Sequence, residues 1–131
     1  MKITPDTNVL IRVLVGDNVE QSKAAEALLK KADVVALSIS ALCELVWVLS
    51  RGYKASAANI AASIRHLIIA SNVVVNRSVA EAGSALLDAG GDFVDGVIAH
   101  EGSWLGAEVF VSVDKKAVKL IEASGGSARL P

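Results

Sequence analysis

Short runs rich in β-branched residues alternate along this chain with longer stretches whose apolar residues recur three and four apart, and that alternation constrains the fold more than any other feature. Strand-like runs fall at residues 2–4, 34–37, 73–75 and 109–112. Helical periodicity fills 7–14, 20–31, 41–51, 57–69, 79–88, 94–105 and 115–123. Strands alternating with helices predict the α/β class, a parallel sheet covered by helices. Gly16-Asp17-Asn18, Gly52-Tyr53, Gly90-Gly91 and Gly125-Gly126 mark turns between the elements, and the tail after the last pair is expected as an edge strand. With no internal repeat and no low-complexity linker, residues 1–131 read as one domain. A chain of this size removes roughly two-thirds of its unfolded surface from water.

Composition narrows the setting. Hydrophobic residues make up 53% with only 4% aromatics, and mean hydropathy is +0.50, so a partner is expected to cover surplus apolar surface. The most apolar stretch, 34–50, is interrupted by Ser38, Ser40 and Glu44 and does not read as a membrane span. The first six residues lack the apolar core of a signal peptide, and the single Cys43 excludes an intramolecular disulfide, so a reducing cytoplasm is expected. A formal net charge of −1 gives no overall attraction to a polyanion, and nucleic-acid binding would need a local basic patch.

The acidic residues are placed unusually. Asp6 follows the first strand and Asp114 follows the fourth, so both fall where strands hand over to helices. In a parallel sheet those ends share one edge, where ligand sites of open α/β sheets lie. Asp is also a favoured helix N-cap, and for either residue alone capping is the simpler role. The same holds for Asp92 and Asp95, which are spaced as a capping box. Glu44 is the only charged residue between Asp33 and Arg51. Its face, Ser40, Glu44, Trp47 and Arg51, reads either as a solvated stripe or as the setting of a partly desolvated carboxylate that needs compensation. Asp95 shares a helical face with Ala99, Gly102 and Gly106, small residues that would admit close approach of another element, beside an apolar stripe of Val94, Val97, Ile98 and Leu105.

Several carboxylates in one pocket repel one another unless a cation balances them. Hard oxygen ligands without His or Cys favour Mg2+ or Mn2+, metals that keep waters and take phosphate oxygens as further ligands. That combination suits phosphodiester hydrolysis.

Four segments together carry a family resemblance: Asp6-Thr7-Asn8 after the first strand, Glu44 within Ala41-Leu42-Cys43-Glu44-Leu45, the run Asp92-Phe93-Val94-Asp95-Gly96-Val97-Ile98-Ala99, and Val111-Ser112-Val113-Asp114-Lys115. In order and spacing they resemble a PIN domain, particularly the VapC-type toxins of bacterial toxin–antitoxin pairs. The resemblance implies a three-layer α/β/α sandwich with a mainly parallel central sheet. It also implies a homodimer, an Mg2+- or Mn2+-dependent endoribonuclease acting on RNA, and a small antitoxin that inserts a segment near the site. Asp6, Glu44, Asp95 and Asp114 match the family's catalytic and metal-binding acids. Asp92, Ser112 and Asn8 match auxiliary positions, and Gly96 stands where the family commonly has Ala, a small departure.

For substrate backbone the candidate cations are Arg12, Arg51, Lys54, Arg77 and Lys115, with Lys115 best placed beside Asp114; the competing reading for each is ordinary solvated surface. His66 and His100 have no partner at ligand spacing and read as helix surface or margin. Cys43 reads as a buried small hydrophobe, and Trp47 and Trp104 as packing or interface residues. A receiver-like phosphoacceptor domain would need an Asp ending the third strand, where Asn76 stands, and an acidic pair after the first strand, where Asp6 stands alone. A non-catalytic α/β interaction module, its acids serving only as caps, is the remaining alternative.

Overall fold

The computed structural model describes residues 1–131. The elements run β1 (Lys2–Ile3), α1 (Thr7–Leu14), α2 (Val19–Lys31), β2 (Val34–Ala36), α3 (Ile39–Arg51), α4 (Ala57–Ile69), β3 (Val73–Val74), α5 (Arg77–Asp88), α6 (Phe93–Trp104), β4 (Phe110–Val111), α7 (Lys115–Ala123) and β5 (Ala128–Arg129). The chain is thus α/β with parallel strands, as the alternation predicts. Pairing falls into two ladders, one of three strands and one of two, where the sequence reading had one central sheet. The chain divides into two compact units, Met1–Arg77 and Ser78–Pro131.

In the first unit β2 lies between β1 and β3, with Lys2 opposite Val34 and Val35 opposite Val73, all parallel. The Thr4 hydroxyl donates to Ala36 O at 2.8 Å, extending the β1–β2 contact beyond the strand ends. The Asn72 amide donates to Leu29 O and Ala32 O at 2.8 and 3.0 Å, satisfying carbonyls at the end of α2 just ahead of β3. Helix α1 packs on α2 and α3, and α3 on α4. Leu10, Val35, Leu42, Leu45, Ile60 and Ile64 form the fully buried centre. Helix α3 starts two residues earlier than the periodicity places it, because Ser38 caps it, its Oγ accepting from Ala41 N at 3.0 Å.

The second unit joins β4 to β5 in parallel, Phe110 opposite Ala128 and Val111 opposite Arg129, with α7 as the crossover. The tail after Gly125-Gly126 is therefore a strand, as expected. Helices α5 and α6 meet at glycine. A Cβ on Gly83 would lie 2.6 Å from Cε2 of the fully buried Phe93, and one on Gly96 would lie 2.6 Å from Ala82 O. The close approach expected at Gly102 and Gly106 is thus realised at Gly96: a Cβ at Gly102 would meet only Ala107 Cβ, at 3.9 Å, and one at Gly106 nothing. Of the apolar stripe expected on α6, Val97 is buried, whereas Ile98 is 51% and Leu105 90% exposed. No helix is long and apolar enough to cross a membrane.

Candidate active site

In the first unit Asp6 sits one turn past β1 and caps α1, with Oδ1 accepting from Val9 N at 3.1 Å. The side chain is exposed, as is that of Asn8, whereas Thr7 between them is buried. Glu44 lies in the second turn of α3, a helix packed against α1. Of the two readings of Glu44, a solvated stripe or a partly desolvated carboxylate, the first is found. Ser40, Glu44, Trp47 and Arg51 are all exposed, so this face is the solvated stripe, and the apolar neighbours Leu42, Leu45 and Val46 face the core instead. Cys43 is only half-buried.

The second unit carries three of the acids, Asp92, Asp95 and Asp114. Asp92 caps α6, its Oδ1 accepting from Val94 N at 2.8 Å. Asp114 caps α7, its Oδ1 accepting from Lys116 N at 2.9 Å and Ala117 N at 3.2 Å. The Ser112 hydroxyl accepts from Asp114 N at 3.0 Å and so fixes the loop that presents this cap. Lys115 is the first residue of α7 and is exposed.

Asp95 differs from the others. It occupies the first turn of α6 and is half-buried. Its pKa is raised above the ordinary range of an aspartate, first by burial, then by repulsion from Asp92 and from Asp114. The carboxylate desolvated by its surroundings is therefore Asp95, not Glu44.

Capping and ligand binding turn out not to compete. In Asp6, Asp92 and Asp114 the cap engages Oδ1 alone, which leaves Oδ2 outside the capping bond. The helix N-termini also favour negative charge there. The side chains as they lie do not form a closed ligand cage: no three His, Cys, Asp or Glu residues are grouped to hold a metal. The donor set is nonetheless hard, anionic and, at Asp95, undercompensated, which is the chemistry a divalent cation of the Mg2+ or Mn2+ type fits.

His100 escaped the sequence reading. Expected at a helix margin, it buries Nε2 without a hydrogen-bond partner and lines a cavity of about 630 Å³ in the second unit. The sequence signal was the set of small residues Ala82 and Ala85 on α5, Ala89 just past its end, and Ala99, Gly102 and Ser103 on α6.

What the fold and these junctions define is an α/β protein with carboxylates at the amino ends of its helices. The chain belongs to the PIN domain family, whose family model matches residues 3–122. PIN domains are generally nucleases, and typically use divalent metal. No curated protein matches the chain.

Proposed function

We propose that the protein is a metal-dependent endoribonuclease and the toxin component of a toxin–antitoxin pair, its 131 residues acting as one PIN-like domain. The observation that carries the metal-dependent part is the raised pKa of half-buried Asp95, repelled by Asp92 and Asp114. An uncompensated carboxylate in such company is stabilised by a cation.

In this reading Asp6, Glu44, Asp95 and Asp114 hold Mg2+ or Mn2+. A metal held by these residues would supply a lowered pKa for a bound water and charge stabilisation at the scissile phosphate. The protein's own residues fix where this happens. Caps tie Asp6 and Asp114 to the starts of their helices, Ser112 accepts from Asp114 N, Asp92 raises the negative potential at Asp95, and Asn8, exposed in the first turn of α1, is the auxiliary residue near Asp6 in sequence. Lys115 is placed against the α7 dipole, where a cation is disfavoured unless an anion is nearby, and with Arg51 it serves the substrate backbone. No covalent protein intermediate is needed, and the products carry a 5′-phosphate and a 3′-hydroxyl.

Exposed Trp104 (77%), Leu105 (90%) and Val113 (84%) support the expectation of a protein partner, a second copy or a small cognate antitoxin. A cytoplasmic setting belongs to the same reading and is supported by the lone Cys43.

One observation favours the rival reading of a non-catalytic interaction module: Asp6, Asp92 and Asp114 all serve as caps. The deciding experiment is cleavage of mixed RNAs with Mg2+ or Mn2+, comparing the native protein with Asp6→Asn and Asp95→Asn. Metal-dependent cutting that both substitutions abolish is expected. Equal activity in the variants, or a 2′,3′-cyclic phosphate as primary product, overturns the proposal.

A further inference from the structure

The cavity of the second unit is separate from the acids: none of Asp92, Asp95 and Asp114 lines it. At about 630 Å³ it falls within the range of small-ligand sites, on the order of 300–1,000 Å³. Its walls combine small residues of α5 and α6 with aliphatic side chains such as Leu86, Val109 and Ile121, Phe110 is the one Phe, Tyr or Trp among them, and Glu108 is the sole carboxylate. His100 contributes the buried, unpartnered Nε2. An imidazole nitrogen removed from water without a partner is costly, and a polar ligand group would satisfy it.

We propose that this cavity is a subsite for a single unstacked nucleobase bearing an exocyclic amino group, belonging to the nucleotide beside the cleaved phosphate; the proposal rests on the ribonuclease reading above. Charge sets the chemistry. A lone carboxylate at Glu108 repels phosphate and accepts hydrogen bonds from amino groups, the edge that adenine, cytosine and guanine present and uracil lacks. Phe110 supplies a face against which a base stacks, the usual means by which proteins hold single-stranded RNA. Helix α6 supplies the distance. Asp95 lies in its first turn, and Ala99 and Gly102, four and seven residues on, share its face and line the cavity, about 6 and about 10 Å along the axis. A nucleotide whose phosphate is at Asp95 reaches the cavity with its base.

The test uses the full chain without metal, with adenosine, cytidine, guanosine and uridine as probes and the ring signals of His100 read by NMR. At least one amino-bearing nucleoside is expected to shift those signals and to bind about tenfold or more tighter than uridine. Ala107→Leu, at an exposed rim position, should weaken the shift by narrowing the mouth of the cavity, and Glu108→Gln should erode the preference over uridine. With Mn2+ and RNAs permuted around the cut, Ala107→Leu should still cleave but lose base preference at one adjacent position. Absence of any shift, equal binding of uridine, or binding untouched by Ala107→Leu overturns the subsite. Nucleoside binding by a native protein that cuts no RNA would instead overturn the ribonuclease reading, so the two failures are distinguishable.

Discussion

A Cβ placed on Gly96 would stand 2.6 Å from the carbonyl oxygen of Ala82 and 3.0 Å from Gly83 Cα, so α5 and α6 touch backbone to backbone immediately beside Asp95. Neither atom is the end of a flexible side chain that can step aside. Gly96→Ala, although it restores the residue common in the resembling family, is expected to destabilise the protein by about 1–3 kcal/mol through overpacking. Urea unfolding measures this, and a midpoint equal to or above the native one would show that the helices separate without cost.

Asp95 works against stability at neutral pH. Because its folded pKa lies above that of a free aspartate, the unfolded chain gives up this proton more readily than the folded one. The stabilising contribution is present below the unfolded pKa and is lost as pH rises through the folded one. Without added metal, Asp95→Asn should therefore be more stable than the native protein at pH 7, with the gap closing as pH falls below about 4. Thermal melts across that range check the sign; a native protein more stable than the variant at neutral pH would mean that a partner compensates Asp95.

Two substitutions at Asp114 separate the cap from the charge. Asn keeps an oxygen for Lys116 N and Ala117 N, whereas Ala removes it. Asp114→Ala should cost about 1 kcal/mol and Asp114→Asn only a few tenths. Mn2+ should raise the melting temperature of the native protein and act far less on either variant, since ligands that bind only the folded state stabilise it. Undiminished stabilisation of Asp114→Asn by Mn2+ would remove Asp114 from the metal set.

Two helix starts were legible to the residue from cap and periodicity together: α1 and α7 begin where Asp6 and Asp114 place them. Where the start was read from the apolar pattern alone, it came late, as at Ile39 after Ser38 and at Arg77. Strands came out shorter than their β-branched runs, and their division into two ladders is tertiary information that no local pattern carries. At the site, positions were readable and environments were not. Glu44 looked enclosed because its sequence neighbours are apolar, yet a helix turns those neighbours away from it. The raised pKa of Asp95 depends on its burial and then on repulsion from Asp92 and from Asp114, the cap of α7, and the buried Nε2 of His100 depends on how α6 meets its surroundings.

Using one oxygen of each capping carboxylate for the helix has a consequence for the kinetics of ligand capture. Asp6, Asp92 and Asp114 have already surrendered their side-chain freedom to start α1, α6 and α7, so an arriving ligand has little rotamer entropy left to quench. The backbone amides at the starts of these helices engage Oδ1 of each carboxylate in advance. Capture of a cation by these groups would then be governed by its own dehydration rather than by rearrangement of the chain.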